Sequence, residues 1–210
     1  MTDRLTEGLR ALVPDVQAAI RQLADELAAT HLELARAQAR LAQAEALADR
    51  DPLTGLLNRR GFSRELRRAA ALASRHGTPA GVLYVDLDGF KAVNDTLGHA
   101  AGDAALVHVA RLLEGNLRES DVLARLGGDE FAVLLAHTDE RGARAKAEAL
   151  SAVLELTPFA HQGRPGRISG SFGVRSLTPG LPPERALAEA DKAMFADKKR
   201  RKRVLRTAAE

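Results

Sequence analysis

Residues 81–88 read G-V-L-Y-V-D-L-D, a continuous apolar run that ends in two acids. A run of strand length with no polar alternation predicts a strand buried on both faces, in the middle of a sheet. The surrounding pattern supplies cover. A helix is expected from about Arg60 to His76, and helical spacing recurs in F-K-A-V-N-D-T-L-G and in A-G-D-A-A-L-V-H-V-A-R-L-L-E-G-N-L-R. D-V-L-A-R-L, then G-G-D-E, then F-A-V-L-L-A reads as two apolar strands joined at a Gly-Gly turn. A helix near Glu140 to Leu156, a strand around Ile168 to Arg175 and a last helix from Pro183 toward Lys199 complete the order. One hairpin and one β-α-α-β connection predict an α/β sandwich with helices over a mixed sheet.

The 210 residues hold one domain of usual size plus an appendage of about 50 residues. In that appendage large aliphatics recur every seven residues, at Ile20, Leu27 and Leu34, then Leu41, with Ala48 continuing the series. A second track three residues later runs Leu23, Thr30, Ala37, Ala44. As a and d positions these predict a parallel coiled-coil dimer, with Arg40 and Glu45 attracting across it. The fading d track predicts weak or adjustable pairing. The alternative is a single helix packed on its own globular domain. Pro14 suits a first helical turn, which makes residues 1–13 a separate short segment. At 51–60, D-P-L-T-G-L-L-N-R-R supplies the Pro, Gly and Asn that should end the long helix.

Cysteine is absent, so disulfides and thiolate metal sites are excluded and a reducing, cytoplasmic setting is expected. No apolar run approaches the roughly 18 residues that span a bilayer, and the start lacks the layout of a signal peptide, so no membrane is expected as a partner. The pI of about 9.6 invites a nucleic-acid reading. Yet from Lys198 onward there are seven Lys or Arg and one acid, while the preceding body carries 24 bases and 27 acids. Aromatics are 3% of the chain, too few for a base-stacking platform. A DNA partner is therefore not expected, and a block such as K-K-R-R-K-R is usually solvated.

Asp86 and Asp88 stand two apart at the carboxyl end of the first strand and share one face of the sheet. The hairpin turn carries Asp129 and Glu130 directly after two glycines. If the hairpin lies beside that strand, three or four carboxylates converge and repel unless a cation neutralises them. Oxygen ligation without His or Cys suits Mg²⁺ or Mn²⁺, which completes its shell with water and substrate phosphates. That chemistry points to phosphoryl or nucleotidyl transfer. Gly127 and Gly128 serve either the positive φ of a tight turn or the close approach of a nucleotide to bare backbone.

These residues resemble the GGDEF family of diguanylate cyclases. The signature R-L-G-G-D-E-F spans Arg125 to Phe131, joined by D-P-L-T-G-L-L-N-R-R at 51–60, D-L-D-G-F-K-A-V-N-D-T-L-G-H-A-A-G-D at 86–103, S-F-G-V at 171–174 and A-D-K-A-M-F at 190–195. The resemblance covers about 51–200, preceded by the helical segment 1–50 and followed by a basic tail at 201–210. It implies a mixed, mainly antiparallel sheet like the palm of nucleotidyl cyclases and polymerases. It also implies condensation of two GTP into cyclic di-GMP and two pyrophosphates across an antiparallel homodimer, with two metal ions per active site. By matched position, Asp86, the Leu87 carbonyl and Asp129 hold metal, Asp129 accepts the 3′-hydroxyl proton and Glu130 is a supporting ligand. Lys91 stabilises developing phosphate charge. Asn94 and Asp103 read guanine, for which the alternative is helix capping. Gly89, Phe90, His99, Gly127 and Gly128 lie near substrate.

Lys198 matches the family's phosphate-binding lysine and Lys202 the place of a second base, usually Arg. There the sequence departs: Asp197 replaces a usual Ala, and R-R-K-R replaces a Gly-containing turn. Arg118 and Asp121 form the R-x-x-D that in the family binds dimeric cyclic di-GMP for product inhibition; the alternative is a loop ion pair. The appendage is too short for a sensory domain, which leaves a dimeriser, a remnant of a longer linker or a docking site for an unseen regulatory partner. Two other functions stay open: a non-catalytic module that binds GTP or cyclic di-GMP, and a nucleic-acid binder that uses the basic run.

Overall fold

The apolar run lies in β1 (Ala80–Asp88), an inner strand of a four-stranded sheet. β3 (Glu130–Ala136) pairs with it on one side and β6 (Ser169–Leu177) on the other, both antiparallel. β2 (Val122–Gly127) pairs antiparallel with the far side of β3. The order β2-β3-β1-β6 leaves β1 and β2 parallel but separated by β3. Every ladder is therefore antiparallel, and the parallel component of the expected mixed sheet is an isolated bridge between Leu57 and Ala124. The helical crossover overshoots one strand position, and the hairpin folds β3 back into the gap.

The computed structural model describes the backbone of residues 2–207 and the side chains of residues 16–24, 26–40 and 48–201. It divides into two compact units, Met1–Ala48 and Asp49–Glu210. In the second unit, helices cover both faces of the sheet. α4 (His99–Gly115) and α5 (Glu140–Leu156) bring Leu106, Val109, Leu150 and Leu154 against Leu83, Val85 and Phe131. α2 (Arg59–His76) and α6 (Pro183–Thr207) bring Phe62, Leu66, Ala190 and Met194 over Val82, Tyr84 and Ala132. Alternation along β1 puts Asp86 and Asp88 on this α2 and α6 face. A Cβ on Gly173 would lie 1.9 Å from the Ala190 carbonyl oxygen and 2.3 Å from the Met194 nitrogen, so glycine is what lets α6 lie flat on β6.

Local chemistry fixes the boundaries. The Asn58 side chain accepts hydrogen bonds from the amides of Arg60 and Gly61 and caps α2, which ends at Gly77 in the left-handed region. Asp139 caps α5 by accepting from the Gly142 amide at 2.8 Å. α3 (Phe90–Leu97) follows β1 through Gly89. A short ribbon, β4 (Phe159–His161) with β5 (Arg164–Gly166), was not expected, because three-residue strands leave no periodic trace in sequence.

The first unit is α1 (Thr2–Ala48), one helix of 47 residues and so on the order of 70 Å long. The expected break after Val13 does not occur. Proline removes one backbone hydrogen bond, and the Ala-, Leu- and Arg-rich residues on either side sustain the rest of the ladder. Ile20, Leu23, Leu27 and Leu34 are each more than half exposed. Leu41, Ala44 and Glu45 lie outside the described side chains.

The last helix runs past the expected end near Lys199 to Thr207, so residues 201–207 of the basic tail are helical. Bases near a helix C-terminus are favoured by its dipole, and Asp197 pairs with Arg200 and Arg201 one turn later. Among the described residues no helix is long and apolar enough to cross a membrane.

Candidate active site

At the carboxyl end of β1 the register sets Asp86 opposite Glu130, so the two carboxylates emerge on one face. The hairpin tip is tied to the strand end by the Leu87 amide, which donates to the Asp129 carbonyl at 3.2 Å. Gly127 (φ 142°) and Gly128 (φ 54°) make the turn, which meets the first of the two roles expected of them. A Cβ on either would meet nothing within 4 Å, so the backbone there is also open to approach.

Two arginines hold this hairpin, and sequence reasoning assigned neither a role. Arg125 donates to both oxygens of Asp51 at 3.1 Å and to the Gly128 carbonyl at 2.8 and 3.0 Å. Arg59 donates to the Leu126 carbonyl at 3.3 Å and to Glu130 at 3.2 Å. Burial alone would raise the Asp51 carboxyl, but hydrogen bonds from Thr54 and Arg125 and the charge of Arg125 hold it below its ordinary value. Tyr84 is pushed up to about 12, by burial first and then by its hydrogen bond to Glu130. The one available signal was membership of Asp51, Arg59 and Arg125 in the recurring motifs.

Lys198, carried by α6, forms an ion pair with Asp86 and lies 4.0 Å from Asp88. Burial disfavours the charged ammonium, yet Asp86, Asp88 and Asp129 together lift its pKa above the usual lysine value. Asp88 also accepts from the buried Ser171 hydroxyl at 2.9 and 3.1 Å. The Asp129 carboxyl is raised, chiefly by burial and then by the negative charge of Asp86, with Lys198 and Arg125 opposing.

That mutual repulsion is the condition a hard cation relieves, and the oxygen donors suit one. Among the described residues, however, no group of three His, Asp or Glu side chains is already arranged around a metal position. Asp86 is engaged with Lys198 and Glu130 with Arg59, so the donors are the right kind but occupied by protein cations.

A cleft of about 710 Å³ opens beside these groups, lined by Leu87, Gly89, Phe90, Lys91, Asp129 and Lys198 among others. The first turn of α3 borders it. Amides at a helix start are donors without intrahelical acceptors, which suits phosphate. Arg200 and Arg201 also line the cleft, although the sequence left them as solvated tail. The Lys202 side chain lies outside the described residues.

The expected guanine readers are arranged differently. Asn94 is half-buried within α3, while His99 and Asp103 are exposed in the first turns of α4. Neither Asn94 nor Asp103 caps a helix: α3 ends and α4 begins at Gly98, with no side-chain cap bond at the α4 start. A Cβ on Gly102 would lie 1.9 Å from Asn94 Oδ1, so glycine leaves the gap in which that amide sits. Asp103 borders a separate hollow of about 400 Å³ with Leu53, His108 and Arg111.

Arg118 and Asp121 border a third hollow, about 310 Å³, with Arg50 and Glu119. Asp121 accepts from the amides of Arg118 at 3.0 Å and Ala136 at 3.2 Å. Among the described residues its carboxylate forms no ion pair with Arg118, so the loop-ion-pair alternative is not observed.

A family model described as diguanylate cyclase, GGDEF domain, matches residues 48–203. The diguanylate cyclase TpbB of Pseudomonas aeruginosa is 42% identical over 212 residues, covering 94% of this chain and 47% of that protein. The chain thus spans about half the length of the curated relatives it matches. Two solved structures are similar. The coiled coil and GGDEF domain of DgcB from Caulobacter crescentus, in complex with c-di-GMP, gives a TM-score of 0.72 at 30% identity, over 84% of this chain and 94% of that one. Diguanylate cyclase SiaD from Pseudomonas aeruginosa, in complex with its activator SiaC, gives 0.69 at 30% identity, over 93% and 78%. With the G-G-D-E turn beside the acidic end of β1 and the family model covering most of its length, this chain belongs to the GGDEF-domain family of diguanylate cyclases.

Proposed function

We propose that the protein condenses two GTP into cyclic di-GMP and two pyrophosphates, one GTP being held by each GGDEF domain of an antiparallel pair. The observation that carries this reading is the convergence of Asp129, Lys91 and Lys198 at one cleft beside an open glycine turn, with Asp86 paired to Lys198. The oxygen of each 3′-hydroxyl bonds to the α-phosphorus of the other nucleotide, the bond from that phosphorus to the bridging oxygen breaks, and pyrophosphate leaves.

Asp129 takes the hydroxyl proton, a role suited to a carboxyl raised above its ordinary value. Asp86, Asp129 and the Leu87 carbonyl, with Glu130 in support, would hold Mg²⁺ or Mn²⁺. A bound divalent ion makes the hydroxyl more acidic and neutralises phosphate charge. Lys198 then leaves Asp86 for the triphosphate, and Lys91 meets it from α3. Asn94 and Asp103 read the guanine edge, with His99 beside them. The Asp103 carboxylate accepts from N1–H and the 2-amino group, a donor pair that adenine lacks.

The α1 stripe supports a coiled-coil homodimer that holds two domains at effective concentrations of order mM. Removing residues 1–48 then lowers turnover most at low protein concentration. A regulatory protein that acts through α1 fits the same design, in the cytoplasm where GTP is found. Arg118 and Asp121 bind product, so cyclic di-GMP inhibits the enzyme and Arg118→Ala relieves the inhibition. The direct test is incubation with GTP and Mg²⁺, followed by chromatography for cyclic di-GMP and pyrophosphate. Both are expected; bound GTP without product at micromolar protein would leave a non-catalytic nucleotide-binding module instead.

A further inference from the structure

Asp197 stands where the family pattern carries Ala, and it organises the basic end of α6. Its side chain, 14% exposed, accepts from Arg200 Nη2 at 2.6 Å, from Arg201 Nε at 3.0 Å and from the Phe172 amide at 3.5 Å. The two arginines have different states. Arg201 also donates through Nη1 to Glu155 at 2.7 Å and through Nη2 to the Ser151 hydroxyl at 2.7 Å. All three of its nitrogens are engaged, and it is balanced by two carboxylates, so it joins α6 to α5. Among the described residues Arg200 donates only to Asp197 Oδ1, and its side chain is 77% exposed, with Nε and Nη1 in no described hydrogen bond. It lines the same cleft as Lys91, Lys198 and Asp129.

We infer that Arg200 is the second phosphate-binding base of this chain, gripping the outer phosphates of a bound nucleoside triphosphate, with Asp197 and Arg201 as the positioning residues that aim it. The proposal rests on the cyclase reading and gives to Arg200 the second phosphate contact that the sequence resemblance placed at Lys202. Lys198 is drawn to the carboxylates at the end of β1, whereas Arg200 is anchored away from them and brings a planar fork of donors that a lysine cannot supply. The acid at 197 holds Arg200 against the helix at i+3, where an unanchored side chain would spread into solvent.

The test is equilibrium binding of 3′-deoxy-GTP, which lacks the attacking hydroxyl, against GMP, using the full chain with Mg²⁺. The preference for triphosphate over monophosphate should fall about tenfold in Arg200→Ala. Asp197→Ala should fall similarly and Asp197→Glu should recover most of the loss, while Lys202→Ala keeps the wild-type preference. Arg200 is exposed, so its variant should keep the wild-type circular dichroism, which isolates the binding effect. A wild-type preference in Arg200→Ala, or a loss confined to Lys202→Ala, overturns the proposal while leaving the cyclase reading intact. Failure of the wild-type chain to bind 3′-deoxy-GTP overturns both.

Discussion

The two ends of the candidate site are built on opposite terms. At the acidic end four carboxylates already have a protein partner, and only Asp129 is without one in the described contacts: Asp86 has Lys198, Glu130 has Arg59, Asp51 has Arg125 and Asp88 has Ser171. At the proposed base-reading end, the side chains of Asn94, His99 and Asp103 make no described hydrogen bond or ion pair, and packing against Gly102 sets Asn94 in place. Burial explains the difference. Charge at a half-buried sheet edge is costly unless neutralised, so the fold provides cations that ligand and metal must displace. His99 and Asp103 are exposed and satisfied by water, and Asn94 is half-buried but uncharged, so steric placement suffices for it.

That contrast can be broken most sharply at Asp129. Asp129→Asn should lower cyclic di-GMP formation by about 10²–10⁴-fold, measured as initial rate at saturating GTP, with stability unchanged or slightly raised because a repelled, half-buried charge is lost. An unaltered rate would remove Asp129 from the chemistry. Next comes Arg125→Ala, which strands the mostly buried Asp51 carboxylate and frees the Gly128 carbonyl. It should cost about 3 kcal/mol in denaturant unfolding; a cost under 0.5 kcal/mol would mean the clamp is dispensable.

At the other end, Gly102→Ala should weaken guanine nucleotide binding about tenfold by displacing Asn94. Stability should change by less than about 1 kcal/mol, because the helix gains from alanine what the displaced amide loses. Equal losses at both ends of that comparison, in binding and in stability, would make Gly102 a core position only. The smallest effect concerns pH. The Asp51 carboxyl sits below 3.8 in the folded chain, so its contribution is complete above that value and fades as pH falls through the lower folded pKa. Asp51→Asn should therefore be less stable than wild type by about 1 kcal/mol at pH 7 and indistinguishable from it well below pH 3.8. A constant difference across that range would show that the Asp51 charge is not what matters.

The two ends also differ in how far they could be read from sequence. The buried strand, the Gly-Gly hairpin and the bounds of α5 follow from local periodicity and turn chemistry, and with them the placing of Asp86 and Glu130 side by side. The partners of those carboxylates do not. Arg59 reaches Glu130 across 71 residues, and Arg201 reaches Glu155 across 46. An exposed arginine in a helix has the same local spacing whether or not it meets an acid on another element. The continuity of α1 through Pro14 was hidden for the reverse reason, since a strong local breaker was outweighed by the summed propensity of its neighbours. Asp197 did show in the sequence as a departure from the family pattern, but its consequence for Arg200 and Arg201 needed the packing of α6 on β6.

The central claim is that one end of the site reads phosphate charge and the other reads the base. It is tested most directly by measuring two binding selectivities, 3′-deoxy-GTP over 3′-deoxy-ATP and 3′-deoxy-GTP over GMP, in Lys198→Ala and Asp103→Asn. Lys198→Ala should lose the preference for triphosphate and keep the preference for guanine, and Asp103→Asn should do the reverse. Parallel loss of both selectivities in both variants would contradict the division.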